Sequence, residues 1–215
     1  MQLNANHNGG SWARFARAVQ AATNGNLPRP YIADSWRRCR KRGVGQALDN
    51  SILLRRIDGD ELERRLRAEC VLVETAESLL REFSQSMEAV EHVVYMTDRD
   101  GIVLCSAGNH QTMIVYGLMP GFDWSENTMG TNGAGTALAT GRPVAVIGPD
   151  HYQLPFREAT CLGAPIRSSR GQIIGAVDFS THVKDTQFSH LALMIELARS
   201  IERHISRRRT ARVRG

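Results

Sequence analysis

Two long amphipathic segments enclose a β-rich centre, and this arrangement constrains the fold more than any other feature of the sequence. Between Asp60 and Met87, apolar residues recur every three or four positions without an internal Gly or Pro, which predicts one long helix. The same spacing from Phe188 to Ile205 predicts a closing helix. Two framing helices of this kind indicate a helical dimer seam.

The centre of the chain has the alternation and the β-branched composition of strands. Residues 92–97 and 102–106 surround the turn sequence Asp98-Arg99-Asp100-Gly101 and therefore predict a β-hairpin. The other predicted strands are 143–147, 162–167 and 172–180. A short polar segment joins the last two, so these strands are expected to be antiparallel neighbours.

A long irregular stretch, residues 107–127, separates the hairpin from the later strands. It leads into a small-residue helix that is predicted from Thr131 to Ala139 and closed by Gly141. Together these elements predict an α+β fold, in which an antiparallel sheet of roughly five or six strands has helices on one face and is framed by the long helices. The other face, covered by long loops, is expected to offer a pocket.

The length of 215 residues accommodates one well-packed domain with helical extensions. We predict a helical amino-terminal extension at residues 1–59, with a short helix at 11–23 and a second one that begins at Pro30 and ends near Gly43. The main domain is predicted at 60–206, followed by a basic linker or tail at 207–215.

The sequence indicates neither a membrane span nor a metal or disulfide framework. No run approaches the roughly 18 apolar residues that cross a bilayer, and the amino terminus lacks a secretion signal, so a cytoplasmic location is expected. The four cysteines lie at least 30 residues apart and form no CxxC pair. We therefore expect no metal and no other cofactor.

The net charge of +5 raises the question of nucleic-acid binding. The arginines cluster at 37–42 and 207–214, outside the predicted core, and no helix-turn-helix pair or aromatic platform accompanies them. We therefore expect solvated helix faces and a linker, with no direct contact between this chain and nucleic acid.

Several motifs occur in order along residues 28–206. They are Ser35-Trp36-Arg37-Arg38-Cys39, Trp124-Ser125-Glu126 with Gly130-Thr131-Asn132, Asp150-His151, Cys161-Leu162-Gly163-Ala164-Pro165-Ile166 and Gly175-Ala176-Val177-Asp178-Phe179-Ser180. In this order they resemble the amino-terminal GAF-type sensor of sigma-54-dependent activators of the acetoin-catabolism and dihydroxyacetone regulator type.

The resemblance implies a non-catalytic regulatory domain that binds a small organic effector, such as a ketone, an aldehyde, a diol or a phenol-like compound. In that family the sensor precedes an AAA+ ATPase and a Fis-type DNA-binding domain, and this chain contains no GxxxxGK[ST] phosphate loop. Effector binding is expected to bias the framing helices, which would restrain or release the ATPase.

The segment from Trp124 to Asn132 combines apolar and polar side chains, as small-molecule sites do. The candidate ligand-binding residues are Trp124, Thr131, Asn132 and His151, with Tyr95, Tyr116, Phe122 and Phe156 as aromatic candidates for the cavity lining. Each also has a structural interpretation, as aromatic core, as a helix cap, or as a histidine bonded to a loop carbonyl.

Two alternatives to an effector sensor remain open. The first is a ligand-free dimerisation or interaction module, whose aromatic side chains fill the pocket themselves. The second is a thiol enzyme, because some GAF-fold proteins reduce methionine sulfoxide with cysteines; Cys105 or Cys161 would then react. Both lie in predicted apolar strands, where buried thiols are usually inert, so we expect no catalysis.

Overall fold

Five strands form one antiparallel sheet with the order β2-β1-β5-β4-β3. They are β1 (His92–Asp98), β2 (Val103–Gly108), β3 (Val144–Ile147), β4 (Ala159–Arg167) and β5 (Ile173–His182). This computed structural model describes residues 29–47, 55–87 and 89–214. The helix predicted at 11–23 lies outside these ranges.

Seven α-helices accompany the sheet within the described ranges. They are α1 (Pro30–Lys41), α2 (Gly59–Ala68), α3 (Cys70–Ser86), α4 (His110–Tyr116), α5 (Glu126–Met129), α6 (Gly133–Thr140) and α7 (Phe188–Arg214). The predicted α+β class and the β1–β2 hairpin are therefore confirmed. The small-residue helix predicted near 131–139 is α6, which begins after the cap Asn132 and ends at Gly141 in the left-handed conformation.

One face of the sheet carries the framing helices α3 and α7. Leu80 of α3 and Met194 and Ile201 of α7 pack with Val94 and Phe179 of the sheet in a fully buried core. Each such side chain contributes roughly 1.5–3 kcal/mol when it leaves water. The amphipathic spacing that predicted these helices thus marks the face that packs on the sheet.

The opposite face, called the pocket face here, is covered by α6, α1 and the loops between β2 and β4. Val93 and Tyr95 of β1 and Cys161 of β4 point to this face and pack with Trp124 and with Ala134 of α6. Residues two apart along a strand share a face, so β1 divides its side chains between two separate cores.

The start of α6 lies very close to β4 and β5. A β-carbon on Gly163 would lie 2.2 Å from the carbonyl oxygen of Gly133, and one on Gly133 would lie 1.8 Å from Oδ2 of Asp178. Only glycine permits this approach at either position. Gly133 and Gly163 therefore fix the distance between α6 and the sheet.

The prediction of one helix over 60–87 is wrong at a single residue. Glu69, with φ −108° and ψ 24°, separates α2 from α3. Arg65 of α2 binds Asp98 and Asp100 at 2.5 and 2.8 Å, at the β1–β2 turn, whereas α3 packs into the core under the sheet. The two helices therefore contact different parts of the sheet, α2 the β1–β2 turn and α3 the core, and apolar spacing alone does not reveal this difference.

Two further elements differ from the sequence predictions. The stretch 107–127 contains α4, whose cap Asn109 accepts from the amide of Thr112 and whose end is Gly117 at φ 61°. At seven residues, α4 is too short for its periodicity to be recognised. The closing helix continues through Arg214, where a basic tail was expected, because arginine is a good helix former.

We predict that Gly163→Ala lowers the free energy of unfolding by about 1–3 kcal/mol, the usual cost of overpacking, because its methyl group meets the backbone of α6. Urea denaturation followed by circular dichroism measures the change. Gly59→Ala is the matched control, since its β-carbon meets nothing within 4 Å. Equal stability of the two variants would contradict the close approach.

Candidate ligand-binding site

A cavity of about 260 Å³ lies on the pocket face, between the sheet and the segments that contain α4 and Phe156. Its apolar lining consists of Tyr116, Leu118, Trp124, Pro155, Phe156 and Ala159. Its polar lining consists of Glu91, His92, Thr112, Glu158, Cys161, Ser180, Thr181, His182, Lys184 and Asp185. Apolar walls with a few polar groups at one end are typical of small-molecule sites.

Aromatic side chains build the wall away from the sheet. The ring of Phe156 lies 5.3 Å from Trp124 and 6.1 Å from Tyr116, measured between ring centroids. The indole nitrogen of Trp124 donates to the carbonyl of Gly117 at 2.9 Å, which ties this wall to the end of α4. The indole N–H is thus already used within the protein.

A chain of hydrogen bonds runs along the sheet at the polar end of the cavity. Nε2 of His151 lies 3.3 Å from Sγ of Cys161, which lies 3.3 Å from Oγ of Ser180. Ser180 in turn donates to Oδ1 of Asp178 at 2.8 Å. Cys161 and Ser180 line the cavity, whereas His151 and Asp178 stand behind them.

Burial sets the protonation states of the groups in this row of hydrogen bonds. It lowers the pKa of His151 to about 4, so the imidazole is neutral. Nδ1 faces the carbonyl of Gly148 at 3.0 Å and must carry the hydrogen, which leaves Nε2 free to accept from the thiol of Cys161. Burial raises the pKa of Cys161 and raises that of Asp178 to about 7.

Two polar atoms in or beside this row of hydrogen bonds have no hydrogen-bond partner among the described residues. They are the hydroxyl of Tyr95 and Oδ2 of Asp178, and both residues are fully buried. Tyr95 and Asp178 face each other across β1 and β5, and both point to the pocket face. An unpaired buried polar atom costs about 1–3 kcal/mol, so this cluster is chemically unsatisfied.

Helix α1 is held over the pocket face by a buried carboxylate. Glu126 accepts two bonds from the guanidinium of Arg38, both at 2.7 Å, and one from Ser35 at 2.6 Å. Ser35 also bonds Thr131 at 2.7 Å. The bidentate geometry makes this a strong and directional pair.

The cavity lies where the framing helices meet the sheet. Glu91 and His92 lie five and six residues beyond the end of α3, and residues 181–185 lead into α7. Nε2 of His92 lies 3.0 Å from the hydroxyl of Ser84 in α3. The ring of Phe179 packs 5.3 Å from His92 and 4.8 Å from His190 of α7. His92 thus connects the cavity to α3 directly, and Phe179 connects His92 to α7.

Three of the eight residues predicted to bind ligand line the cavity: Trp124, Tyr116 and Phe156. The structure brings them together in one aromatic wall. His151 is not part of the lining, but its ring lies 6.3 Å from that of Phe156 and its Nε2 lies 3.3 Å from Sγ of Cys161, which lines the cavity. Ligand contact by these residues stays a prediction.

The other four predicted residues lie away from the cavity wall. Thr131 bonds to α1, and Phe122 lies beside Gly117 with the guanidinium of Arg56 5.7 Å above its ring. Asn132 caps α6 and donates to the carbonyl of Trp124 at 3.1 Å. Tyr95 packs 5.9 Å from Trp124. Ligand contact by these four residues also stays a prediction.

The polar end of the cavity was missed by sequence reasoning. Cys161 and Ser180 were assigned to apolar strands, and His92 to the start of a hairpin. Cys161 and Ser180 share a side of the sheet because they pair across β4 and β5, whereas the ring of His92 packs on Phe179 at the opposite face. Alternation along each strand gives the face, but only the register shows that these side chains are neighbours.

Two other kinds of site are absent from the described ranges. No helix there is both long enough and apolar enough to cross a membrane. No group of three or more His, Cys, Asp or Glu side chains in those ranges is arranged to hold a metal ion.

The family described as "MimR, N-terminal domain" matches residues 25–206. The chain is 27% identical over 199 residues to the acetoin dehydrogenase operon transcriptional activator AcoR of Bacillus subtilis, which covers 91% of this chain and 32% of that protein. It is also 31% identical over 156 residues to the propane 2-monooxygenase operon transcriptional activator MimR of Mycolicibacterium goodii. That alignment covers 70% of this chain and 25% of the relative. The chain thus spans about a third or less of these regulators.

The crystal structure of the E. coli DhaR(N)–DhaL complex contains a similar fold. The TM-score is 0.80 at 20% sequence identity, over 85% of this chain and 62% of that one. This similarity confirms the GAF-like arrangement that the motifs indicated.

Asp178 gives the protein a specific pH dependence. Its pKa of about 7 in the fold lies above its value in an unfolded chain, so the fold binds the extra proton and loses this stability as pH rises from about 4 to 7. His151, with a pKa of about 4, has the opposite effect over about pH 4 to 6.5. We predict that Asp178→Asn makes stability rise more steeply with pH, by at most about 4 kcal/mol across this range.

Chemical denaturation at several pH values between 4 and 8 measures this slope. Asp34→Asn, at an exposed carboxylate of α1, controls for the loss of a charge. His151→Gln should change the slope in the other direction. Parallel pH profiles of Asp178→Asn and the parent protein would show that Asp178 is ionised in the fold.

Proposed function

Because this chain belongs to the MimR N-terminal domain family, we propose that it is the effector-sensing domain of a bacterial transcriptional activator of a catabolic operon. The effector is a small organic molecule of the ketone, aldehyde, diol or phenol type. The whole regulator is sigma-54-dependent and cytoplasmic, and its AAA+ ATPase and DNA-binding domain follow this chain. The domain itself regulates and does not catalyse.

The observation that carries this proposal is the cavity between the aromatic wall and the polar end. At about 260 Å³ it is slightly smaller than the roughly 300–1,000 Å³ of pockets for drug-sized ligands, so it suits a compact effector. Trp124, Phe156 and Leu118 supply apolar contact, and Cys161 and Ser180 supply polar groups. The relatives named above activate operons for acetoin dehydrogenase and propane 2-monooxygenase. Acetoin is a compact hydroxyketone, and propane is equally compact but carries no polar group.

The position of the cavity supports a mechanism of coupling. An effector that touches His92 and Thr181 contacts the segments that join the sheet to α3 and to α7. The effector shifts the equilibrium between two arrangements of the helices only as far as its affinities for the two arrangements differ. The coupling free energy is typically about 1–3 kcal/mol. The framing helices, which we propose also form the homodimer, carry that shift to the ATPase.

We predict that a compound that fills the cavity raises the thermal midpoint of this chain, with about 2.7 kcal/mol of stabilisation at 100 times its dissociation constant. Acetone, acetoin, acetaldehyde, propanediols and phenol are the first compounds to test. Ala159→Leu places a larger side chain in the cavity wall and should abolish the shift. Ala68→Leu, at an exposed site of α2, is the matched control and should retain it.

A saturable shift that Ala159→Leu removes and Ala68→Leu keeps supports the sensor. The absence of binding for every compound, confirmed by calorimetry, would favour a ligand-free interaction module.

Coupling is tested separately by hydrogen exchange. A saturating effector should slow amide exchange at the end of α3 and the beginning of α7, and leave α2 unchanged. Ser84→Ala removes the bond from α3 to His92 without touching the cavity wall. This variant should bind the effector as before, with a weaker response in α3. An unchanged response would show that the bond from Ser84 to His92 does not transmit binding.

A further inference from the structure

A thiol and an imidazole meet at the polar end of the cavity. Cys161 lines the cavity, and its sulfur lies 3.3 Å from Nε2 of His151, which is an acceptor in the neutral ring. The bond from Nδ1 to the carbonyl of Gly148 holds the ring in this orientation. A nucleophile, a base and a group that orients the base form the arrangement found around activated nucleophiles.

From this geometry we infer that Cys161 captures a carbonyl effector covalently and reversibly, with aldehydes as the preferred class. The inference rests on the proposed function, because it names the chemistry by which the same cavity holds its ligand. Sγ attacks the carbonyl carbon, a C–S bond forms, and the π bond of the carbonyl breaks. The thiol proton passes to His151 Nε2 and from there to the carbonyl oxygen. The product is a hemithioacetal, and no oxidant or reductant takes part.

The surroundings favour addition and not turnover. Burial raises the pKa of Cys161 and lowers that of His151, so both are neutral and the proton must move as the C–S bond forms. Among the described residues, Cys161 is the one cysteine in the cavity wall, and Cys105 belongs to the core on the other sheet face. A disulfide cycle therefore has no second thiol in the cavity.

The new hydroxyl group of the adduct has polar neighbours. Oγ of Ser180 lies 3.3 Å from the sulfur and accepts a hydrogen bond while it donates to Asp178. The unpartnered hydroxyl of Tyr95 lies on the same sheet face, in the strand next to Ser180. An alkane-like ligand offers nothing to these groups, whereas the adduct offers a donor and an acceptor.

The test uses acetaldehyde labelled with ¹³C at the carbonyl, added to the chain in a Cys70→Ser background, because Cys70 is exposed. Carbon NMR should show a protein-bound tetrahedral carbon that Cys161→Ala removes and Cys105→Ala keeps. Lys184→Arg should also keep it, which separates the adduct from an imine at the lysine in the cavity wall. His151→Gln should slow its formation by about a hundredfold or more, since general bases contribute roughly 10²–10⁴-fold.

The outcomes separate this inference from the proposed function. A tetrahedral adduct that depends on Cys161 supports both. A thermal shift by acetaldehyde that persists in Cys161→Ala, without an adduct, overturns covalent capture and leaves the sensor in place. An adduct that survives in Cys161→Ala also overturns it. Circular dichroism of each variant shows that the loss of an adduct is not a loss of folding.

Discussion

The rest of the structure depends on the close approach of α6 to the sheet. Gly133 and Gly163 allow the beginning of the helix to contact β4, and Asn132, the cap of that helix, holds the carbonyl of Trp124. The aromatic wall of the cavity is therefore positioned by a contact made several residues away. A larger residue at either glycine would lift α6, and the wall would move with it.

This contact also explains why the pocket face contains unusual polar groups. Asp178 lies under the beginning of α6, where its Oδ1 accepts from the hydroxyl of Ser180. Burial raises the pKa of Asp178 to about 7, and burial also lowers the pKa of His151, which keeps its imidazole neutral. On the opposite face, an apolar core joins the sheet to α3 and α7. The protein thus separates a face with buried polar groups from an apolar face that packs on the framing helices.

Much of the fold could be predicted from the sequence, because hydrophobic periodicity reports the elements directly. The β1–β2 hairpin, the later strands and the framing helices were placed within a few residues. The break at Glu69 and the short helix α4 were missed, since contacts with the β1–β2 turn and local caps decide them. In the site, Trp124, Tyr116 and Phe156 were predicted as lining. Thr131 and Asn132 hold the framework, and Cys161 and Ser180 were not proposed for the site.

The sequence by itself determined the class of fold, the family and the aromatic residues available for a wall, because these depend on local spacing and on motifs that lie within short segments. Only the tertiary structure decided which polar side chains meet. Cys161, Ser180 and His151 come from different segments, and the antiparallel register of β4 with β5 places the first two side by side. Register is set by the packing of whole sheets, so a linear pattern does not contain the distance between thiol and imidazole.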